Sequence, residues 1–595
     1  MLVLYSSLEI LVLRTIIESP SDILRLWLFR RVLLSRDVKL TKKRDGQSNR
    51  RGLVISMKWI NQNRVTFAVG QGLFHYEEIR LHPGMSRPMT IVYDAGSFSP
   101  HTHENDVAYR SVEQVRKRLE SHCDKTIDYL ILSHFHADHY NLMSRLITNN
   151  KVRYFIAPLL TPMSNSFEIA AVAYEWLSNK SNLSEANEEK KLITEFVDKG
   201  TDGFAQQLFM EHDKPNQFIY ITNEPKNTDN DQSVIHFIPD EPDDGNGSEN
   251  GNGNNNVKTI SHDQPIVIQN RHFQKFWKMV FYCNTPDIHP PQYWKAAKGS
   301  LKQKLIEVWK NNSDDPEAFR TYFEEIFSKR TYFPVADKKK QSKRTKSKKV
   351  TFDDVFGYAN ANMTSLTMYS GTNWQQDKID TIDPYFSFGN TNGPRFELHH
   401  GIEKLLVHTA KESSNQKRYS LDETSESEAE RFRILRSLYP ISDLFFITHK
   451  ARRDNSNLCW CYSVCNSQWP MQSYIRPSGI RDCYWSWMGF GDMNFEDEAI
   501  AEKLIEHFKK HGNLLERVGC CSAPHHGSHN GFATNKIPSE FPGAICLISC
   551  DPNREGYGHP RIEALNSILQ GGMLPTLVTG QENSTFYETL CWKLR

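Results

Sequence analysis

Three histidines and one aspartate fall within six positions in the stretch ILSHFHADHYN at 131–141. They are His134, His136, Asp138 and His139, and they directly follow an apolar run. Neutral imidazole nitrogens and carboxylate oxygens are ligands that suit Zn²⁺, Mn²⁺ or iron. Histidines two positions apart, followed by Asp and His on a loop that leaves a strand, can face two neighbouring metal ions. This spacing favours a metal site over an accidental histidine-rich turn.

The residues around this cluster predict the elements that position it. Residues 108–121 show the apolar and charged rhythm of a helix, and IDYLILS at 127–133 is a short apolar run that ends at the histidines. Upstream, residues 64–79 and 88–94 alternate or run apolar, which predicts strands of one sheet. Strand, helix and strand therefore lead in order to the histidines, a pattern typical of an α/β fold.

The C-terminal part of the chain repeats this alternation. The pattern predicts two helices, at 496–510 and 561–570, and four strands, at 516–522, 544–549, 575–579 and 585–593. Three motifs stand among these elements, namely GFGDM at 489–493, APHHGSH at 523–529 and REGYGHP at 554–560. A strand that ends in Gly-Asp is thus followed by a His-His-Gly-Ser turn and then by a Tyr-Gly-His-Pro turn.

The spacing H-x-H-x-D-H resembles the signature of the metallo-β-lactamase-fold hydrolases, and the later motifs, in their order, resemble one branch of them. This branch is the hydrolase domain of the ComEC-type DNA-uptake (competence) proteins. VGQG at 69–72 and NMTSL at 362–366 are similar to two further motifs of the branch. The resemblance covers roughly residues 64–150 and 485–593, and it implies a metallo-β-lactamase αββα sandwich with large insertions.

The resemblance also implies a ligand set for two divalent metal ions, Zn or Mn. The implied metal ligands are His134, His136, Asp138, His139, Asp492 and His526. Asp492 would bridge the two ions, and Asp94 stands where the family has a buried aspartate that supports the metal loop through hydrogen bonds. The motif leaves open which of the neighbours His525 and His526 binds metal.

Asp138, His525 and His559 are the candidate catalytic residues. Two metals about 3.5–4 Å apart can lower the pKa of a bridging water to give a hydroxide, and can clamp the phosphoryl oxygens of an in-line displacement. His525, His529 or His559 could protonate the leaving alkoxide. For His529 a surface position is the stronger interpretation, and His559 could instead contact metal or phosphate.

The function expected first is a metal-dependent phosphodiesterase or nuclease that acts on DNA or RNA. A hydrolase of a small phosphodiester, lactone or thioester is the alternative, because fold does not fix substrate. A partner-binding scaffold with a residual metal site is the third interpretation. The aromatic residues at 481–490 and the basic run at 338–349 would suit a nucleic-acid groove. The aromatic residues suit the core equally well, and the basic run a solvated patch.

Composition adds weaker indications. The chain has 595 residues and a formal net charge of +1, which does not single out a nucleic-acid partner. Irregularly spaced cysteines and the lack of a secretory signal indicate reduced thiols and a cytoplasmic location. The cluster Cys459, Cys461, Cys465 and Cys483 predicts a zinc site only weakly, because no C-x-x-C pair is present. No uninterrupted apolar run approaches the roughly 20 residues of a membrane span.

The metallo-β-lactamase domain is expected in two halves, 57–150 and 485–595, with a returning core strand at 362–370. Two insertions, 151–361 and 371–484, separate these parts and could bind a protein partner. The first insertion holds an acidic segment (223–256) and the basic run, whose compositions predict disorder. Residues 1–56 are interpreted as a mis-assigned leader or a surface extension, since strand-like sequence begins only after Met57. No motif marks a further histidine ligand between His139 and Asp492.

Overall fold

The computed structural model describes the chain in segments. The described residues are 59–82, 85, 87–98, 106–122, 124–162, 165–179, 186–223, 233–237, 257–270, 274–284, 303, 305–311, 313, 315, 317–321, 365–373, 379–388, 445–453, 456–464, 473–474, 486–542, 544–551, 559–580 and 584–594. Predicted features outside them are the extension at 1–56, most of the acidic segment, the basic run, and Cys465 and Cys483 of the cysteine cluster.

The described strands and helices alternate along much of the chain. In chain order the strands are β1 Trp59–Thr66, β2 Phe74–His82, β3 Met89–Ala95, β4 Thr126–Ile131, β5 Lys151–Pro158, β6 Gln217–Thr222, β7 Val234–Phe237, β8 Val257–Ser261, β9 Ile266–Asn270, β10 Gln274–Cys283, β11 Leu366–Thr372, β12 Ile379–Phe388, β13 Phe445–Arg453, β14 Ser456–Val464, β15 Ser473–Tyr474, β16 Ser486–Gly489, β17 Val518–Ser522, β18 Ile545–Ser549, β19 Leu574–Val578 and β20 Phe586–Leu594. The helices are α1 Val107–Glu120, α2 Ala137–Tyr140, α3 Met143–Ile147, α4 Ser166–Asn179, α5 Ala186–Lys199, α6 Thr201–Leu208, α7 Glu498–Lys510 and α8 Ile562–Gln570.

Two large mixed sheets organise these elements. Sheet 1 has nine strands in the order β12-β20-β1-β2-β3-β4-β5-β6-β8, and sheet 2 has eight in the order β19-β18-β17-β16-β11-β10-β9-β7. Strands β3 to β8 of sheet 1 pair in parallel, as do β16 to β19 of sheet 2. A third sheet contains β13, β14 and β15. The predicted α/β class is confirmed.

The apolar core explains why the sequences of β3 and β4 are almost continuously apolar. Val92 of β3 and Leu130 of β4 belong to a core cluster shared with the helices on one side of sheet 1. Tyr129 and Ile131 belong to the cluster shared with sheet 2. Successive side chains of a strand point to opposite faces, so a strand covered on both faces needs apolar residues at nearly every position. A further cluster lies between sheet 2 and residues of α7 and α8.

Helix α1 fits its place on sheet 1 through an apolar stripe. Ala108, Val112, Val115 and Leu119 are buried and follow helical spacing. The side chain of Asp106 accepts a hydrogen bond from the backbone N–H of Ala108 and caps the first turn. This helix therefore covers the face of sheet 1 that leads to the histidine motif.

A buried ion pair joins β1 to β20, the third and second strands from the β12 edge of sheet 1. Nη1 of Arg64 donates to Oε2 of Glu588 at 2.8 Å, across 524 positions of sequence. Oε1 of Glu77, on β2, lies 3.5 Å from Nε of Arg64. The side chains of all three residues are almost fully buried, so the guanidinium is compensated by two carboxylates away from water.

The segments interpreted as insertions supply strands to both sheets. Strands β5, β6 and β8 extend sheet 1 beyond β4, and β7, β9 and β10 extend sheet 2 beyond β11. Strand β12, from the second segment, pairs with β20. Among the described residues, no helix combines the length and apolar character needed to cross a membrane.

Candidate metal centre

The histidine motif begins where β4 ends, next to the parallel strand β3. The turn after β1 holds the motif in place. The N–H of Leu73 donates to the carbonyl of Asp138 at 3.2 Å, and the N–H of Gly96 donates to the carbonyl of Leu73 at 3.0 Å. His136 occupies the N-cap position of α2, which carries Asp138 and His139. Two buried strands and one tight turn therefore fix the loop.

Two glycines allow this close approach. A Cβ atom on Gly96 would collide with the backbone of Asp138 and His139. A Cβ atom on Gly72 would meet the carbonyl oxygen of Asp138 at 2.7 Å, and Gly72 has a φ of +137°. Only glycine fits both positions without moving the metal-binding loop.

Five buried side chains from three parts of the chain converge beyond the end of β4. Nε2 of His139 lies 3.1 Å from Oδ1 of Asp492, and Nε2 of His134 lies 3.5 Å from Oδ2 of the same carboxylate. Nε2 of His526 lies 3.1 Å from Oδ2 of Asp138. The ligand atoms form two overlapping groups, each with all atoms within 4.8 Å of one another. These groups are His134, His139 and Asp492, and Asp138, His139 and His526.

Asp94 fixes the orientation of His139. Oδ2 of Asp94 lies 2.8 Å from Nδ1 of His139, so Nε2 of the ring points toward Asp492. The carboxylate also accepts hydrogen bonds from the backbone N–H and the hydroxyl of Ser133, each at 2.7 Å. A histidine that binds metal through one nitrogen usually hydrogen-bonds through the other, and Asp94 provides that contact here.

Serines hold the other ligands. Nδ1 of His134 lies 2.9 Å from the hydroxyl of Ser133 and 3.5 Å from that of Ser365. The Ser365 hydroxyl also accepts from the backbone N–H of Asp492 at 2.9 Å. One serine just before β11 therefore links the first histidine to the aspartate that follows β16.

The His-His-Gly-Ser turn is held in an uncommon backbone conformation. His525 and His526 have φ values of 47° and 54°, in the left-handed region, and Asp94 has a φ of 56°. Such conformations cost of order 1–3 kcal/mol each for non-glycine residues and cluster at functional sites. The strained turn places Nδ1 of His526 2.9 Å from the carbonyl oxygen of Ser549 and its Nε2 beside Asp138. His526, rather than His525, therefore belongs to the ligand groups.

The buried polar atoms of the cluster fit a metal better than they fit one another. Among the described residues, neither Nε2 of His134 nor Oδ1 of Asp492 has a hydrogen-bond partner. Buried polar atoms are normally paired, and these two face other ligand atoms without the angles of a hydrogen bond. Imidazole nitrogens with carboxylate oxygens make a donor set suited to Zn²⁺ or Mn²⁺. These buried groups could hold a metal ion.

The pKa shifts in the cluster indicate a negative electrostatic field, which favours a bound cation. Burial disfavours a charged His139, but Asp492, Asp94 and Asp138 outweigh it and raise its pKa well above the usual value. Burial and the charge of His139 lower the pKa of His134 to about 3. Burial raises the pKa of the Asp492 carboxyl, but His139 and His526 outweigh this and hold its pKa well below the usual range. The carboxylates therefore create a negative field that one protonated ring compensates, and a divalent ion would be attracted to the same field.

His136 lies beside the two groups rather than in them. Its ring centre is 4.6 Å from that of His134, and its Nε2 lies 2.9 Å from Oε2 of Glu175 on α4. Burial disfavours a charged ring at His136, but the Glu175 carboxylate more than offsets this and raises its pKa. Helix α4 thus brings a carboxylate to the edge of the cluster.

Three further histidines occupy different positions around the site. Nε2 of His525 lies 3.8 Å from Oδ2 of Asp492, and its side chain is 30% exposed, so this ring faces the open side of the cluster. The ring of His559 is buried, 5.6 Å from the ring of His525. His529 is exposed. The first two therefore line the approach to Asp492.

Several residues of the site could not be identified as such from the sequence. Ser133 lies inside the histidine motif and Ser365 inside NMTSL, but a serine has no distinctive spacing that predicts a supporting role. Glu175 carries no motif, and Ser549 contributes only its backbone carbonyl. Contacts of this kind depend on which elements pack together, which local sequence does not encode.

The comparisons with known proteins add no assignment. No protein-family model matches this chain, and no curated protein matches it. The site is therefore described by its own geometry.

Proposed function

We propose that the chain is a metal-dependent hydrolase of the metallo-β-lactamase fold, similar to the ComEC-type hydrolase domain, and that it cleaves phosphodiester bonds of DNA or RNA. One observation carries this proposal: the two overlapping His/Asp groups that share His139 and draw their ligands from three distant motifs. The order of those motifs, and the two mixed sheets with helices on their outer faces, support the family.

Each ligand would have a defined role. Nδ1 of His139 is held by Asp94, so this ring would bind one ion through Nε2; Asp138, His139 and His526 would hold that ion, and His134 with Asp492 would contribute to the other, the two oxygens of Asp492 facing different histidines. Two divalent ions in these groups would supply Lewis acidity, which activates water and neutralises charge on a phosphoryl group. Asp94, Ser133, Ser365 and the Ser549 carbonyl would keep the ligands oriented, so little reorganisation is needed when substrate binds.

His525 and His559 would contact the substrate as uncharged rings. Burial lowers the pKa of His525, and burial together with His525 and His526 lowers that of His559 to about 3. An uncharged imidazole donates through one nitrogen only, so each ring would donate a hydrogen bond to a phosphoryl or leaving oxygen. The partly exposed position of His525 places it nearest to an incoming substrate.

Two of the aromatic residues that would suit a nucleic-acid groove are buried in the core. Trp487 and Phe490, from the stretch 481–490, are fully buried, and Trp487 stacks on His75 with ring centres 3.8 Å apart. These two side chains therefore pack in the core and do not stack on bases. In this proposal, the substrate backbone is bound at the metal centre, with His525 beside it.

The test is cleavage of labelled single-stranded DNA, duplex DNA and RNA with Zn²⁺ or Mn²⁺ over a series of salt concentrations. Asp138→Ala should lower the rate by about 100-fold or more, because it removes a ligand that acts in the transition state. Asp202→Ala, at an exposed aspartate of α6, is the matched control and should leave the rate unchanged. The wild-type rate should fall steeply with salt, as binding to a phosphate backbone does.

Two outcomes would contradict parts of the proposal. If the protein hydrolyses bis(p-nitrophenyl) phosphate with little salt dependence but does not cleave nucleic acid, the proposed hydrolase activity stands and the proposed nuclease activity is rejected. Bound metal by elemental analysis, with no cleavage of either substrate class, would reject the phosphodiesterase.

A further inference from the structure

A second group of metal-binding side chains lies apart from the motifs described above. His262 and Asp263 follow β8 in the turn to β9, and His507 lies in α7. One ligand atom from each residue comes within 4.8 Å of the other two. Nδ1 of His507 is 3.7 Å from Oδ1 of Asp263, and the ring centres of His262 and His507 are 4.8 Å apart.

Strand β10 orients both imidazoles through its backbone. Nε2 of His507 lies 2.8 Å from the carbonyl oxygen of Phe281, and Nδ1 of His262 lies 3.1 Å from that of Cys283. The backbone nitrogen of Cys283 lies 3.3 Å from Nδ1 of His262, so Nδ1 accepts from this N–H in one tautomer and donates to the Cys283 carbonyl in the other. The ring of His262 stacks on Tyr282 with ring centres 5.5 Å apart. Two alternate carbonyls of one strand therefore fix both rings.

This orientation leaves the opposite nitrogens for a ligand. When His507 donates from Nε2 and His262 from Nδ1, the lone pairs of Nδ1 and Nε2, respectively, remain available beside the Asp263 carboxylate. Metal-binding histidines characteristically donate their other ring N–H to a backbone carbonyl or a carboxylate. We propose that His262, Asp263 and His507 bind one divalent cation of the zinc class, as a cross-link between the turn after β8 and helix α7.

The charge states of the three side chains suit this role. Burial, together with His262 and His511, lowers the pKa of His507 to about 3, and burial lowers that of His262. Both rings are thus uncharged at neutral pH, which is the form that coordinates metal. Burial would raise the pKa of Asp263, but His262 and Lys510 outweigh it, so this carboxyl is ionised.

The residues around the three ligands determine how an ion would reach the site and what it would connect. The side chain of Asp263 is 36% exposed, which gives an ion a path from solvent. His511 follows His507 by one helical turn, with ring centres 4.8 Å apart, a spacing that places both on one helix face. Water would complete four-coordination, the usual number for zinc. The ion links the turn between β8 of sheet 1 and β9 of sheet 2 to a helix far along the chain, so its effect is on stability.

Lys510 is the competing cation. Its Nζ lies 3.3 Å from Oδ1 of Asp263 and compensates the carboxylate in the absence of metal. An ion must displace this contact or share the carboxylate with it. Removing the ammonium should therefore strengthen metal binding, whereas a purely structural His/Asp/Lys network would have no metal to strengthen.

The main experiment counts zinc in full-length protein after dialysis, by mass spectrometry. The central site is disabled by His139→Gln with Asp492→Asn, which removes at least one ligand from each of its two His/Asp groups, and this protein should retain one equivalent. Adding His262→Gln with Asp263→Asn should remove that equivalent. Retention of none by the first protein, or of the same amount by both, overturns the proposal. Because both central groups are disabled in both proteins, the result does not depend on the proposed nuclease.

A second measurement avoids changes to buried residues. Zn²⁺ affinity is measured by competition with a chromophoric chelator in Lys510→Met and in Lys509→Met. Both lysines are exposed in the last turn of α7. Lys510→Met should tighten one binding step by about 5-fold, the size of a surface ion pair. Lys509→Met removes a contact to Glu540 instead and should change nothing. Equal affinities in the two variants count against the proposal.

Discussion

Asp94 and His139 form the contact that sets the geometry of the candidate metal centre: Oδ2 of the aspartate lies 2.8 Å from Nδ1 of the histidine. Because one nitrogen is held in this way, the other faces Asp492 at 3.1 Å. The same carboxylate takes two hydrogen bonds from Ser133, one residue before His134. A single residue at the end of β3 therefore orients the ring shared by both ligand groups.

Asp94→Asn should weaken metal binding by about 10–100-fold, the usual effect of losing a hydrogen-bonding partner behind a ligand. Asparagine tolerates a φ of 56° well, so the backbone is retained while one acceptor oxygen becomes a donor. The measurement is metal content after dialysis against graded chelator. Asp497→Asn, at the N-cap of α7 and outside the cluster, should keep its metal, because asparagine caps a helix as well as aspartate does. Equal metal loss in both would refute the prediction.

Gly96→Ala should abolish metal retention, because its Cβ would force the backbone of Asp138 and His139 outward. Forcing an extra carbon into a packed site also costs about 1–3 kcal/mol of stability. Gly580→Ala is the control, since a Cβ there meets Gly70 only at an ordinary 3.7 Å. Metal content and the urea midpoint are measured for both. Normal metal content in Gly96→Ala would show that the loop tolerates the shift.

Glu175→Gln should lower metal affinity by about 10-fold, if the carboxylate next to Nε2 of His136 acts as a supporting contact of the site. Glu175 is 38% exposed, so the neutral, isosteric glutamine should leave the unfolding midpoint unchanged. Affinity is measured by chelator competition. Glu113→Gln, in the surface pair with Arg116, serves as the comparison and should match wild type. An unchanged affinity in Glu175→Gln would remove this residue from the site.

Asp128→Asn should destabilise the protein at neutral pH by about 3–5 kcal/mol, because it breaks a buried ion pair. Asp128 accepts from Arg87 at 2.7 and 2.8 Å and from Arg153 at 2.9 Å. Burial would raise the pKa of this carboxyl, but Arg87 and then Arg153 outweigh it, so the folded pKa is lowered. Its contribution is therefore complete above the unfolded pKa of about 3.9 and is lost as pH falls through the folded value.

Urea unfolding of Asp128→Asn and wild type at two pH values checks this expectation. The difference in free energy of unfolding should be full at pH 7 and should shrink once the wild-type carboxyl is protonated. A difference that stays constant into strong acid would show that packing, rather than charge, sets the cost of the substitution.

Elements that are defined by local apolar spacing and capping could be predicted from the sequence. Predicted helices at 108–121 and 496–510 correspond to α1 and α7 within two residues at each end, because apolar spacing and capping define them. The histidine cluster was readable for the same reason, since its members are neighbours in sequence. Asp492 and His526 could be predicted only from the family resemblance, because no residue near them in sequence indicates that they lie beside His139.

Pairing between distant segments could not be read in this way. The apolar run of β10 indicates a strand, yet only the fold determines that it lies between β9 and β11 in sheet 2. Glu175 and Asp263 illustrate the same limit for side chains. Each meets its histidine through packing of a helix or turn, and a lone acidic residue in sequence normally indicates a solvated surface.

The pairing of β1 with β20 has a consequence for how the protein is made. Arg64 and Glu588 meet across 524 positions, so β1 emerges from the ribosome long before the strand that covers its edge. Until then β1 exposes an open row of backbone groups, and Arg64 lacks one of its two carboxylates. Contacts between such distant residues form slowly. The β1–β20 pairing of sheet 1 therefore forms only after β20 has been synthesised, and until then the edge of β1 is open to pairing with other chains.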